Sequence, residues 1–401
     1  MKKLVLFGAG KIGRSFIGQL FARSGYEVVF VDINQKVIDE LNKRKSYKVF
    51  IKGEKEEVLL VENVRGVNGS DSLMVIEELR TASIAAVSVG QKGLPHILPN
   101  IAKALEKRDV PLDIIIAENM RNADVFIRNS LAALLPKGFD VDAMTGLIET
   151  SIGKMVPIMP AEEEEKDVLQ VFAEAYNTLI VDKKAFKNSI SDIEGLAPKE
   201  NMKAWVDRKA FIHNYGHAVV AYIANQYDSS FTYLHEALAI PEIRLFTRNA
   251  MIEAAHILMA KYQNEFTENQ LIEHIDDLLK RFENRYLGDT IYRVGCDLRR
   301  KLSRNDRVVA LLMEGIEHHL PYENIVFTLA CAYHFNASTK KELFAPDVEF
   351  IRELDEKGIK TMLTEVSEIP LANEYLIENI SELYKDMNNI VKDKIKSLLL
   401  N

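Results

Sequence analysis

The stretch Lys209 to His217, "KAFIHNYGH", puts a lysine, an asparagine and two histidines into an otherwise apolar helical pattern. Lys209, Asn214 and His217 fall at offsets of zero, five and eight. On a regular helix these offsets stand about 140° and 80° away from the lysine, a broad sector rather than a line. An amine in a partly apolar cleft loses part of its affinity for the proton and can serve as a base near neutral pH, while a carboxamide can donate to a developing oxyanion. His213 and His217, four residues apart, could also face one metal ion. However, no cysteine lies nearby, and Asn214, Tyr215 and Gly216 stand where a zinc-protease helix would carry its glutamate. A metal-free site is therefore expected. Spacing alone still leaves a snorkelling surface lysine and a satisfied core histidine open.

A second chemical signal lies at the N-terminus. "GAGKIG" supplies Gly8, Gly10 and Gly13, with Lys11 and Ile12 among them, between a short apolar run and a helical pattern. In that position the glycines suit a tight strand-to-helix turn, the close approach of a pyrophosphate and helix-on-strand packing, with the anion at the helix N-terminus. Asp32 closes the next apolar run 19 residues after Gly13, where a carboxylate would accept from ribose hydroxyls. It would repel the 2′-phosphate of NADP, so NAD is the expected cofactor. Ser88 and Gly90 of "SVG", and Glu118 to Met120 with Asn119 at their centre, end later runs where a nicotinamide would lie. Ser88 could equally be a loop hydroxyl bonded to backbone.

These residues need a scaffold that ends several strands side by side. "KLVLFG", "EVVFVD", "IAAVSVG" and "DIIIAEN" read as buried parallel strands separated by helical stretches, and Gly25 closes the first helix. "YKVFIKGEKEEVLLVENVRGV" reads as an inserted antiparallel hairpin, and "MTGLIETSI" with "NTLIVDKKAF" as a further strand pair. Between that pair, "AEEEEKDVLQVFAEAY" reads as one acidic helix, with Glu162 to Glu165 as its solvated first turn. From about Gly195 the pattern becomes wholly helical. The expected fold is a Rossmann-type doubly wound α/β domain with inserted antiparallel strands, residues 1–194, followed by an all-α substrate domain, residues 195–401.

The 401 residues exceed one comfortable core, and a net charge of −8 argues against nucleic acid as partner. No window is long and apolar enough for a membrane span. Cys296 and Cys331 cannot build a disulfide framework, which points to a reducing compartment, the cytoplasm. A small-molecule substrate is expected. Against the acidic background, "RVGCDLRRKLSRNDR" gathers Arg293, Arg299, Arg300, Lys301, Arg304 and Arg307, a basic cluster suited to phosphate or carboxylate; Arg293, Arg300 and Lys301 are the first candidates. A solvated helix and loop surface is the plain alternative.

The blocks "FGAGKIGRSFIGQLFA", "VDINQKVIDELN", "AENM", "VDRKAFIHNYGHAVVAYI", "RFENRYLGDTIYRVG" and "RKLSRNDR" follow one another in order through nearly the whole chain. Together they resemble the polyol-specific long-chain dehydrogenase/reductase family. The resemblance implies an NAD-dependent oxidoreductase interconverting a polyol, or polyol phosphate, with its ketose; mannitol 1-phosphate and fructose 6-phosphate are the first pair expected. It implies Lys209 as general base, Asn214 and Asn119 as carboxamides at the reacting oxygen, and His217 as the residue that positions substrate and lysine. His213 has no counterpart role. The chain departs from the family pattern at Cys296, where relatives commonly carry arginine, at Arg285, where they commonly carry proline, and near Gly153–Lys154, where they commonly carry an Asp-Arg pair. A hexuronate reductase, an unphosphorylated polyol dehydrogenase and a non-catalytic NAD-sensing protein therefore stay open.

Overall fold

In the computed structural model, residues 2–120, 122–190, 192–338 and 342–397 are described, and the chain divides into two units, Met1–Val206 and Asp207–Asn401. Each apolar, β-branched run of the first unit forms a strand: β1 (Lys3–Phe7), β2 (Glu27–Asp32), β3 (Ser46–Ile51), β4 (Glu57–Glu62), β5 (Val64–Asn68) and β6 (Ile84–Val87). These are followed by β7 (Leu112–Ile116), β8 (Thr145–Ser151), β9 (Val171–Ala173), β10 (Leu179–Asp182) and β11 (Leu196–Lys199).

Eight strands join in the order β11-β10-β8-β7-β6-β1-β2-β5. The run from β8 to β5 is parallel, β10 lies antiparallel to β8, and β11 is parallel to β10. The pleat sends alternate side chains to opposite faces. Leu4, Leu6, Val28 and Phe30 join one buried cluster with Phe16 and Ile17 of the first helix. Val5, Phe7, Val29 and Val31 join a second cluster with Leu98 and Ile101. Burial on both faces is why these strands read as unbroken apolar runs. From β1 the chain moves outward through β2 to β5, then returns to lay β6 on the other side of β1. The reversal point therefore lies between the C-terminal ends of β1 and β6, at Gly8 and Ser88.

The inserted hairpin forms as expected from β3 and β4, but "NVRGV" leaves it and becomes β5 of the main sheet. The acidic helix is shorter than expected. It covers Ala161–Lys166, with Glu162, Glu163 and Glu164 in its first turn, and Asp167 then turns extended. "VFA" becomes β9 because its three buried residues complete a second sheet by pairing with Val49, Phe50 and Ile51. The strands also continue past residue 194, since Leu196–Lys199 adds β11. Gly25 closes the first helix through a Gly25 N–H to Ala22 bond of 3.0 Å and a Tyr26 N–H to Phe21 bond of 3.1 Å.

From Asp207 onward the named elements of the described residues are helices, joined by turns and loops, with a bridge between Tyr233 and Thr290. Helix Tyr215–Tyr227 is buried along most of its length. The long helices Pro241–Lys261, Glu268–Phe282, Glu323–Tyr333 and Glu374–Ser397 supply much of the remaining core. Among the described residues, no helix is long and apolar enough to cross a membrane.

Candidate active site

In the first unit the glycine turn sits at the reversal point. Gly8 has φ +95, and a Cβ on it would lie 2.2 Å from the carbonyl oxygen of Ser88. A Cβ on Gly13 would lie 2.0 Å from the carbonyl oxygen of Gly8. Both positions are filled by backbone. Gly10 differs, because nothing lies within 4 Å of where its Cβ would be, so the turn is open on that side. Asp32 accepts from Ala9 N–H at 2.7 Å through one carboxylate oxygen and from Asn34 N–H at 2.8 Å through the other. A carboxylate has about four lone-pair sites, so this pinning of the turn leaves capacity for ribose hydroxyls. The open side of Gly10 and this remaining capacity fit a dinucleotide. Lys11 reaches Glu164 at 3.0 Å with both side chains half exposed, and Ile12 packs against the core.

On the neighbouring strands, Ser88 and Gly90 follow β6, and Gly90 has φ +77. Glu118, after β7, accepts from Val89 N–H at 2.7 Å and Gly90 N–H at 3.0 Å through one oxygen. Burial pushes its carboxyl up and the two amides oppose the shift. This carboxylate fixes the loop carrying Ser88 and Gly90, a role the sequence reading did not give it. Asn119 is exposed beside it, with its carbonyl accepting from Gln91 at 3.2 Å.

In the second unit the helix does not follow a regular wheel. Lys209–Asn214 forms a π segment between α-helical Met202–Arg208 and Tyr215–Tyr227. The Tyr215 N–H bonds back to Ala210, five residues earlier. A five-residue turn places Lys209 and Asn214 one turn apart, and His217 follows three residues on. The broad sector expected from 100° steps is thus narrowed to one face. The sequence signal was the five-residue offset itself.

Lys209 is partly buried. Burial, with a smaller contribution from the positive charge of Arg307, lowers its pKa from 10.5 to about 8. Arg307 donates to the Asn214 carbonyl at 3.5 Å and to Asp306 at 2.7 Å. His217 stacks on Phe282 with ring centres 4.6 Å apart and planes 5° apart, and its Nε2 lies 3.0 Å from an Asp289 oxygen. Burial first, then Arg293, Arg307, Lys301 and Arg281, lower the imidazole well below its ordinary value. His213 is buried, 6.1 Å from the His217 ring and 5.7 Å from Phe282, and burial likewise keeps it neutral. Among the described residues, no group of three or more His, Cys, Asp or Glu side chains could hold a metal ion.

The basic cluster comes largely with its own counter-charges. Arg293 pairs with Asp289, Arg299 with Glu353, Arg300 with Asp297 and Asp306, and Arg307 with Asp306. Arg304 reaches the Glu368 carbonyl at 3.5 Å. Lys301 is buried and donates to the Val294 carbonyl at 2.6 Å; burial, then Arg307, lower its pKa to about 8.

Residues 2–195 match the mannitol dehydrogenase Rossmann domain and residues 201–388 the mannitol dehydrogenase C-terminal domain. The chain belongs to the mannitol dehydrogenase family. Within that fold, a Pseudomonas fluorescens mannitol 2-dehydrogenase solved as a ternary complex with NAD and D-mannitol is similar at 16% identity. The match covers 100% of this chain and 94% of that one with a TM-score of 0.76. A D-sorbitol dehydrogenase in substrate-free form is similar at 15% identity over 98% of this chain and 94% of that one, with a TM-score of 0.80. The Rossmann-type sheet followed by a helical unit is the arrangement expected for this family.

Proposed function

We propose that this mannitol dehydrogenase family member is an NAD-dependent polyol dehydrogenase that works without a metal, with Lys209 as general base. The observation that carries the reading is the π segment. It sets an amine whose pKa is lowered to about 8 one turn from Asn214, with His217 on the next. The open side of Gly10, the anchored Asp32 and the family itself support NAD as cofactor.

As the free amine, Lys209 takes the hydroxyl proton of the substrate alcohol, and the electron pair left on oxygen forms the carbonyl as the carbinol hydrogen departs. When bound, NAD supplies the acceptor for that hydride. Asn214, and Asn119 as a second carboxamide, donate to the oxygen while it carries negative charge. His217 holds a substrate hydroxyl, and Gly8, Gly10, Gly13, Asp32, Ser88 and Gly90 hold the dinucleotide. In the reductive direction protonated Lys209 returns the proton.

The first substrate pair is mannitol 1-phosphate and fructose 6-phosphate, with Arg293, Arg300 and Lys301 toward the phosphate. The internal pairing of Arg293 and Arg300 favours keeping a second reading, a hexuronate or an unphosphorylated polyol, whose demand for free positive charge is smaller. Loss of NADH absorbance with fructose 6-phosphate, fructose, fructuronate and tagaturonate, each in excess chelator, separates these readings. Turnover on none would leave an NAD-binding protein without this catalysis. Activity lost in chelator and restored by zinc would remove the lysine mechanism.

A further inference from the structure

The sequence "GDTIYR" builds a fixed bracket around one carboxylate. Gly288 is left-handed at φ +66, and Thr290 caps helix Ile291–Gly295 by accepting from Arg293 N–H at 3.1 Å. On either side the backbone is tied to the segment before helix Leu234–Leu238. Leu234 N–H donates to the Asp289 carbonyl at 3.0 Å, and Ile291 N–H donates to the Thr232 carbonyl at 2.9 Å. The Asp289 side chain, 5% exposed, therefore leaves a backbone held at both flanks. One of its oxygens lies 3.0 Å from His217 Nε2, and the other accepts from the Arg293 guanidinium. Arg293 can only donate, and the ionised carboxylate that accepts its N–H on one oxygen is an acceptor toward the ring on the other.

We propose that Asp289 is the positioning residue of His217, holding the imidazole with its proton on Nε2 so that Nδ1 is left as a hydrogen-bond acceptor for a substrate hydroxyl. Phe282, stacked on a face of the ring, fixes the ring plane, and Asp289 fixes rotation within that plane. The same carboxylate ties the ring to Arg293, one of the cations directed at substrate. This deepens the catalytic reading given above and rests on it for the role of His217. The tautomer itself rests on geometry alone.

The test is nitrogen NMR of the His217 ring together with steady-state kinetics of the full-length enzyme. The wild-type ring is expected to show a protonated Nε2 and a bare Nδ1. Asp289→Leu, which removes the acceptor while keeping the branching of the side chain, should lose that preference and lower kcat by about tenfold or more, as expected for a histidine free to adopt the wrong tautomer. NADH binding should be unchanged. Asp289→Asn leaves one acceptor oxygen between two donors. Arg293, which can only donate, holds it, so the amide nitrogen turns to Nε2, the tautomer should reverse and kcat should fall as in Asp289→Leu. Combining Asp289→Leu with His217→Gln should cost no more than the worse single change. A bare Nε2 in the wild type, a tautomer unchanged in Asp289→Leu, or additive costs in the double variant would overturn the proposal. If Asp289→Leu does not fold, the wild-type spectrum and Asp289→Asn still decide it. If His217→Gln alone keeps full kcat, the catalytic role of the histidine falls, and the ring spectrum still decides whether Asp289 sets the tautomer.

Discussion

Lys209 holds its amine where a positive charge is disfavoured, and this has a cost in stability as well as a use in chemistry. Its pKa is about 8 in the folded chain against an ordinary 10.5. Between these values the unfolded chain binds more protons than the folded one, so this group's contribution to stability rises with pH across that window. Below about 8 both states are protonated and the full cost is present. Lys209→Met keeps the length of the side chain without its charge. It should therefore raise stability toward urea or heat at pH 7, by at most about 3 kcal/mol, while lowering kcat for polyol oxidation by roughly 10² to 10⁴. The wild-type rate should climb with pH around the lysine's value, and that limb should vanish in the variant. Asn214→Ala should also lower kcat but keep the limb, because an amide donor does not titrate. If Lys209→Met destabilised the protein at pH 7 and kept its rate, the ammonium would be a paired structural cation.

At the scale of elements, two close positions in one turn respond differently to added bulk. A Cβ on Gly8 collides with the Ser88 carbonyl in a left-handed conformation, so Gly8→Ala should lower the melting temperature. Gly10 has open space where its side chain would grow, so Gly10→Val should leave melting nearly unchanged while weakening NADH binding by about tenfold or more. Equal NADH affinity in Gly10→Val would show that the pyrophosphate does not use that side. This turn was legible in the sequence because its strand, glycines and Asp32 all lie within one βα unit and a short span. The acidic helix was not, because "VFA" has helical neighbours in sequence but strand neighbours in space, Val49 to Ile51. Nor was the geometry of Lys209 and Asn214, since a regular wheel cannot register a π segment. Asp289 escaped for another reason. Its partner His217 lies 72 residues away, and no local pattern joins a carboxylate to a ring at that distance.

For the whole molecule the governing quantity is charge. At −8, the protein as a whole disfavours anionic substrates, so a phosphorylated one must be drawn by local positive charge. The segment from Arg293 to Arg307 offers six cations, but Asp289, Asp297, Asp306 and Glu353 neutralise much of them within the same unit. NADP adds the same difficulty at the other site, where Asp32 already stands near the turn. The kcat/KM with NADH should thus exceed that with NADPH, and equal values would remove Asp32 as the discriminator. The substrate prediction follows from what remains of the cluster. If a phosphate is held there, the attraction acts between charges partly open to water and is screened by salt. Raising the ionic strength from about 0.05 to 0.5 M should then raise KM for fructose 6-phosphate several-fold, and KM for fructose should stay nearly constant. Arg300→Gln should raise the first KM, leave the second unchanged and flatten the salt dependence. Its direct partners Asp297 and Asp306 would lose a counter-ion in the same variant, so melting should be followed alongside. If fructose and fructose 6-phosphate show the same KM and the same indifference to salt, the arginines serve the fold through their carboxylates, and the substrate belongs with the free polyols. If fructuronate alone shows the salt effect, the cluster is a carboxylate site, and the chain works as a hexuronate reductase on the same lysine chemistry.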